Sequence, residues 1–289
     1  MPRAIDHLVI AAHDLEAQAA LYRRLGFQVG ARNRHPWGTE NRIVQFDGAF
    51  FELIGLGADF LAPSPQAPVY PFAGYLADYL ARREGLAMLV LRSDDAALDR
   101  RRFAAAGIGG FSRFDFARKG RRPDGSEVEV AFSLAFAASP ALPEAGFFVC
   151  QQHYPENFWS RAAQVHPNGA LGVVGLTIAC DRPAEAAAFL SVFLDTPGRP
   201  IEGGVRFALE GAALECLTPA AFTELYGAAP AGAGLAAVRV RVADLPASEG
   251  LLRENGVAFR RRAGMAIIRP AAALGTLLAF VGPEAAPPA

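Results

Sequence analysis

An apolar strand, a helix soon after it and three further strand-like segments recur four times along this chain, and no other feature of the sequence restricts its fold as strongly. The first unit runs from Ile5-Asp6-His7-Leu8-Val9-Ile10-Ala11 to Phe50-Phe51-Glu52-Leu53-Ile54. Its register returns later: His13-Asp14-Leu15 and Ala243-Asp244-Leu245 follow their first strands alike, and Phe51-Glu52-Leu53 matches Leu214-Glu215-Cys216. A β-rich module with its one helix on one face cannot cover both sides of its own sheet. The expectation is an α+β fold in which four βαβββ copies pair into curled β-sheets around a cavity.

Within the first unit, Asp14-Leu15-Glu16 can cap a helix that continues over 17–25, and Gly26 ends it. Phe27-Gln28-Val29 and Arg42-Ile43-Val44-Gln45-Phe46 alternate like strands, and Asp47-Gly48 is a hairpin turn into 49–54. A proline-rich connector over 62–71 and a helix over 72–83 lead to the second unit. That unit reads as strand 86–92, helix 95–106, strands near 110–116 and 127–136 joined across Pro123-Asp124-Gly125, and strand 146–150. The loop-like stretch 153–170 marks the half-way boundary. The third unit has strand 172–179, helix 183–194 and strands 205–209 and 212–217, followed by a helix over 220–226. The fourth has strand 235–243, helix 246–254 and strands 257–261, 265–269 and 276–281, before a frayed tail over 283–289. Two domains are expected: 1–153, with modules 1–60 and 86–153, and 170–283, with degenerate modules 171–218 and 235–282.

Composition narrows the partners. A chain of 289 residues buries about three quarters of its unfolded surface, so it needs no covalent staples. Cys150, Cys180 and Cys216 lie far apart in apolar runs without metal-finger spacing, which reads as buried thiols in a reducing compartment. A net charge of −1, and no strongly basic window, argue against nucleic acid as a partner. The arginine runs 100–102 and 260–262 read as solvated faces. No run nears the roughly 18 apolar residues of a membrane span, and Met1-Pro2-Arg3-Ala4 leads straight into strand-like sequence. The location expected is therefore cytoplasmic, with no membrane partner.

His7 and Glu52 each stand in an apolar strand that would not ordinarily choose them. If Glu52 points inward, burial raises its proton affinity unless a partner holds it ionised, which suits a base acting next to a carbonyl. Strand alternation also allows the opposite face, which would leave Glu52 solvated. The segment His35-Pro36-Trp37-Gly38-Thr39-Glu40-Asn41 is dense in side chains able to touch a ligand, so His35, Trp37, Thr39 and Asn41 are candidate substrate contacts. Its alternative is a self-packed loop plugged by Trp37. Gln152 and His153 are candidates from the second copy, and Tyr154 and Trp159 could close the same pocket. His166 and Asn168 either join them or cap the next strand.

The unit order resembles the vicinal oxygen chelate superfamily, which includes glyoxalase I, extradiol dioxygenases and bleomycin-resistance proteins. The first half is more narrowly similar to glyoxalase-like domain proteins. The likeness rests on Ile5-Asp6-His7-Leu8-Val9-Ile10, Leu25-Gly26-Phe27, the 35–41 segment, Glu52-Leu53-Ile54-Gly55 and His166-Pro167-Asn168-Gly169-Ala170. It covers residues 1–60 and the region near 147–171, and beyond these it is topological. It implies a divalent ion (Zn, Mn, Fe or Ni) held by first and fourth strands of paired modules, a role that falls on His7 and Glu52 alone. The second copy offers Ala87 or Met88 on its first strand, and on its fourth a position among Val149, Cys150, Gln151 and Gln152. In the later copies the His7 position becomes Val174 or Gly175, then Ala237. That departs from the metal-binding pattern and argues against extradiol dioxygenase chemistry.

Two roles of different class follow. One is an enzyme, a lyase or isomerase acting on a small oxygenated metabolite, with His7 and Glu52 as catalytic and metal-binding residues. The other is a metal-free protein of the bleomycin-resistance type that sequesters a small molecule between Trp37 and the phenylalanines. Two paired modules can complete the cavity within one chain, and a homodimer is compatible with either role.

Overall fold

The computed structural model describes residues 2–61, 70–121 and 126–283. Most of the proline-rich connector, the Pro123-Asp124-Gly125 turn and the tail beyond residue 283 lie outside the described residues. The first half comprises β1 (Ile5–Ala11), α1 (Leu15–Arg24), β2 (Asn33–Arg34), β3 (Thr39–Gln45), β4 (Phe50–Leu56), α2 (Phe72–Leu80), β5 (Gly85–Arg92), α3 (Ala96–Ala105), β6 (Phe114–Arg121), β7 (Glu127–Ala137), β8 (Gly146–Gln152) and the single turn α4 (Pro155–Phe158). The second half comprises β9 (Ala170–Ala179), α5 (Pro183–Leu194), β10 (Arg199–Ile201), β11 (Gly204–Leu209), β12 (Ala212–Leu217), α6 (Pro219–Tyr226), β13 (Gly234–Val242), α7 (Leu245–Glu254), β14 (Arg260–Arg262), β15 (Met265–Ile268) and β16 (Leu277–Val281).

These strands form two eight-stranded curled sheets, ordered β2-β3-β4-β1-β5-β8-β7-β6 and β10-β11-β12-β9-β13-β16-β15-β14. The four βαβββ units are therefore present and pair two by two. Within each unit the first strand runs parallel to the last, as β1 does to β4 and β5 to β8. The two units of a sheet meet where their first strands run antiparallel, β1 against β5 and β9 against β13.

Alternation along the strands sorts residues onto two faces. Leu8, Ile10, Phe51, Leu53, Leu89 and Leu91 pack into a core that also takes in Leu176, Ile178, Leu214, Val238, Val240 and Phe280 of the second sheet. One apolar core thus joins the halves, and each large side chain fully buried in it contributes about 1.5–3 kcal/mol. The opposite face of the first sheet carries Val9, Ala11, Ile54, Met88, Val90, Phe132 and Phe148, packed with Phe72, Leu76 and Tyr79 of α2. Glu52 shares the register of this second face, so alternation turns it inward.

Local signals account for most boundaries. The Asp14 carboxylate accepts the backbone N–H groups of Glu16 and Ala17 and starts α1. At Gly48, φ is +74° and permits the tight turn between β3 and β4. The strand expected at Phe27-Gln28-Val29 is absent. Its backbone donors are taken elsewhere: Phe27 N–H by Tyr22 O, and Gln28 N–H by His166 Nδ1 at 3.0 Å. The edge strand is instead the short β2. In the second unit, the strand expected near 110–116 is displaced to β6, at 114–121. In the fourth, the strand expected over 257–261 shrinks to β14, whose turn into β15 uses Ala263 and Gly264 at positive φ.

The half-way stretch works as a clasp. His166 accepts Gln28 N–H at Nδ1 and donates from Nε2 to Gln45 O at 2.8 Å, while Asn168 Nδ2 donates to Leu25 O and its Oδ1 accepts Ala170 N–H. Asn168 thus caps the following strand, as one of the two readings had it, whereas His166 does neither and ties together residues 28 and 45 of the first unit. The three cysteines are buried free thiols, as expected. No described helix is long and apolar enough to cross a membrane.

Candidate functional site

Glu52 lies at the centre of the inward face of the first sheet and is only 6 % exposed. Its Oε1 accepts a hydrogen bond from Asn41 Nδ2, a diagonal neighbour across the β3–β4 pair. Two imidazoles flank the carboxylate: His35 Nε2 is 3.6 Å from Oε1 and His7 Nε2 is 3.8 Å from Oε2. Both gaps exceed a hydrogen bond, so the acid is approached from two sides and firmly held by one amide.

His7 is oriented from behind. The β1–β5 register slips between Ile5 and His7, leaving Asp6 as an extra residue in β1. Such a bulge re-aims a side chain. Here the fully buried Asp6 carboxylate sits 2.6 Å from His7 Nδ1 and accepts Gln152 Nε2 at 2.8 Å on its other oxygen. An ionised carboxylate can only accept, so Nδ1 carries a hydrogen and Nε2 is directed at Glu52. Phe50 stacks on the ring at 4.4 Å and fixes its plane.

His35 is held similarly, with Nδ1 at 2.9 Å from Thr39 Oγ1 and the ring stacked on Trp37 at 4.7 Å. Burial pushes its pKa below the ordinary histidine value, against the pull of Glu52, so it is neutral at neutral pH. Trp37 in turn meets Phe72, Phe114 and Phe116 edge-on. The loop is therefore self-packed and also lines the cavity described next.

These groups border a cavity of about 50 Å³. It has room for about four waters. His7, His35, Asn41, Glu52 and Arg118 form its polar part, and Phe50, Phe72, Phe116, Phe132, Phe148 and Phe158 its aromatic walls. The Cys150 thiol also faces it, its pKa raised by burial and by the nearby Asp6 and Glu52 charges.

Five candidates from the sequence converge here: His7, Glu52, His35, Trp37 and Asn41. Three do not reach the cavity. Thr39 is buried behind His35 and orients it. Gln152 braces Asp6 and lines a separate outer cleft, and His153 is exposed with its Nε2 2.8 Å from Ser133 Oγ. The chain wall comes instead from Phe158, while Trp159 faces the outer cleft. Sequence reading missed Asp6, whose role depends on the bulge. It also missed Arg118, whose alternation with Phe114 and Phe116 was the available signal.

The register identifies each unit's counterparts. His7 pairs with Phe50 and Val9 with Glu52; correspondingly, Met88 pairs with Gly146 and Val90 with Phe148. Phe148 thus takes the Glu52 position in the second unit, which corrects the expected position among 149–152. The thioether and phenyl group offer no hard ligand. His7 and His35 address different oxygens of Glu52, Asn41 caps one of them, and no cluster of three or more His, Cys, Asp or Glu able to hold a metal occurs among the described residues. The donors as arranged do not fit a divalent ion.

In the second sheet the corresponding pairs are Gly175 with Ala213 and Thr177 with Glu215. A Cβ on Gly175 would lie 2.1 Å from Arg239 Nε, so the guanidinium occupies the space that an imidazole would need. Arg239 Nη1 donates to Glu215 Oε2 at 2.8 Å, and Arg206 Nε donates to Oε1 at 3.0 Å. The position that holds Glu52 in one sheet is closed by an ion cluster in the other.

The sequence pattern of the glyoxalase-like domain family matches residues 5–194. Among solved structures, a hypothetical protein from Staphylococcus aureus superposes with a TM-score of 0.65 at 10% identity, over 97% of this chain and 99% of that one. A mutant 4-hydroxymandelate synthase from Streptomyces coelicolor gives 0.60 at 14% identity, over 97% and 92%. A Mn(II)-bound glyoxalase from Novosphingobium aromaticivorans gives 0.56 at 12% identity, over 98% and 83%. At such identities the likeness establishes the vicinal oxygen chelate fold alone. No curated protein matches the sequence.

Proposed function

The chain belongs to the glyoxalase-like domain family, and from that premise we propose that its first sheet binds a small oxygenated metabolite and moves a proton on it, as a lyase or isomerase does. The observation that carries this reading is the single buried carboxylate, Glu52, flanked on its two oxygens by two imidazoles at the wall of an aromatic cavity. Glu52 takes a proton from carbon next to a carbonyl, and the carbonyl oxygen lies towards an imidazole. Asp6 is a positioning residue that keeps Nε2 of His7 turned to the cavity. The aromatic walls exclude water and strengthen each polar contact inside. No step is routed through a metal, because the donor set does not converge on one. Extradiol ring cleavage is outside this reading, since the His7 position is Gly175 or Ala237 in the second half.

Incubation with small carbonyl compounds in D2O, followed by proton NMR, tests it. Exchange next to the carbonyl should occur with the native protein and stop in Glu52→Gln. The mostly aromatic lining also favours a second reading, sequestration. Tight binding of a compound that undergoes neither exchange nor turnover would replace the first reading with this one.

A further inference from the structure

We propose that Arg118 makes this cavity a receptor for a small flat anion, in which a carboxylate is carried on a planar apolar body. This deepens the proton-transfer reading and rests on it for the meaning of the site as a substrate pocket. Arg118 projects from β6 into the cavity beside Phe116 and opposite the β3–β4 wall. Other arginines, in the first unit, are paired: Arg32 with Glu40, Arg34 with Asp59, and Arg42 with Glu16. Arg118 is different. Its one hydrogen bond among the described residues is a long one, 3.4 Å to Asn33 Oδ1, and no described carboxylate is within ion-pair reach.

A guanidinium carries five N–H donors in a fork that matches a carboxylate edge to edge. Arg118 is only partly buried, so water serves the donors that lack a protein partner, and an arriving carboxylate can take the place of that water with a charge-assisted pair. Burial already presses the pKa of Arg118 below the ordinary arginine value, with Glu52 the opposing influence. The other polar groups of the lining are two imidazoles, an amide and an acid, so Arg118 is the one permanently cationic group lining this cavity among the described residues. An anion seated on Arg118 lays its body against Phe116 and Phe132, which stack at 5.0 Å, and extends towards Glu52.

Calorimetric titration with benzoate and with benzamide, its uncharged counterpart, tests the proposal on the full chain. Native protein should bind benzoate about tenfold or more tightly than benzamide. Arg118→Met should erase that preference, and Arg118→Lys should restore part of it; thermal melting of both variants checks that they fold. In Glu52→Gln the preference should persist. Equal affinity for the two probes, binding of neither, or an unaltered preference in Arg118→Met would overturn the proposal. Exchange in D2O separates the two ideas: exchange without anion preference overturns this inference alone, and anion preference without exchange overturns the proton-transfer reading alone.

Discussion

Replacing Asn41 with leucine should cost far more when Glu52 is present than when it is not. Asn41 is 3 % exposed, and its Nδ2 is the one donor in hydrogen-bond contact with the Glu52 carboxylate among the described residues, since both imidazoles stand off by 3.6 Å or more. Leucine has the heavy-atom count and branching of asparagine, so no cavity opens. The loss on the other side of Asn41 is small, because its Oδ1 accepts only a 3.3 Å bond from the partly exposed Asn33. What remains is a buried acid without its donor. A hydrogen bond to a charged group contributes about 1.5–3 kcal/mol, so Asn41→Leu should destabilise the native protein by about 2–3 kcal/mol at neutral pH. In a Glu52→Leu background the same change should cost under about 1 kcal/mol, since removing both partners leaves no uncompensated charge. The coupling is then about 1.5–3 kcal/mol. Urea unfolding followed by tryptophan fluorescence suits the measurement: both tryptophans, Trp37 and Trp159, belong to the first half, and Trp37 stacks on His35 beside the site. A coupling below about 0.5 kcal/mol would refute the view that Asn41 holds the acid.

Two further outcomes follow from the same geometry. Burial holds His35 and His166 below the ordinary histidine pKa, so below about pH 6.5 the unfolded chain binds protons that the folded chain does not. Stability should therefore fall as pH drops from 6.5 towards the folded values; melting temperatures at pH 7.5 and 5.5 check this, and a flat profile, or one unaltered in His35→Gln, would contradict it. Because the donors around Glu52 do not converge, protein purified without chelator should carry less than one divalent ion per chain; stoichiometric metal that disappears in His7→Ala would reinstate a metal-dependent reaction.

Much of the fold was legible because the repeat is written in short-range chemistry. Asp14 before α1, Asp47-Gly48 between β3 and β4, and Pro183 at the start of α5 each act within a few residues. The apolar neighbours of Glu52 left either face open by alternation, and the structure turns it inward. The failures share a different cause. Phe27 to Val29 alternates like a strand, yet the donor at Gln28 is claimed by a histidine 138 positions later. Asp6 became visible only through a register slip against β5, and Arg118 through the closing of β6 over the cavity. His153 was misjudged because its strand ends just short of the wall, where Phe158 on the next turn reaches in. Contacts set by distant partners leave little periodic trace in the chain, and the step of Arg118 with Phe114 and Phe116 is the exception.

Arg239 gives the duplicated architecture a lasting asymmetry. A mutation that shortened it would vacate space above Gly175 but strand Glu215 with Arg206 alone, and breaking one side of a buried ion cluster typically costs about 3–5 kcal/mol. Any single step towards a second ligand chamber there carries that cost. Equilibrium occupancy should saturate at one molecule per chain, however closely the two halves resemble each other in outline.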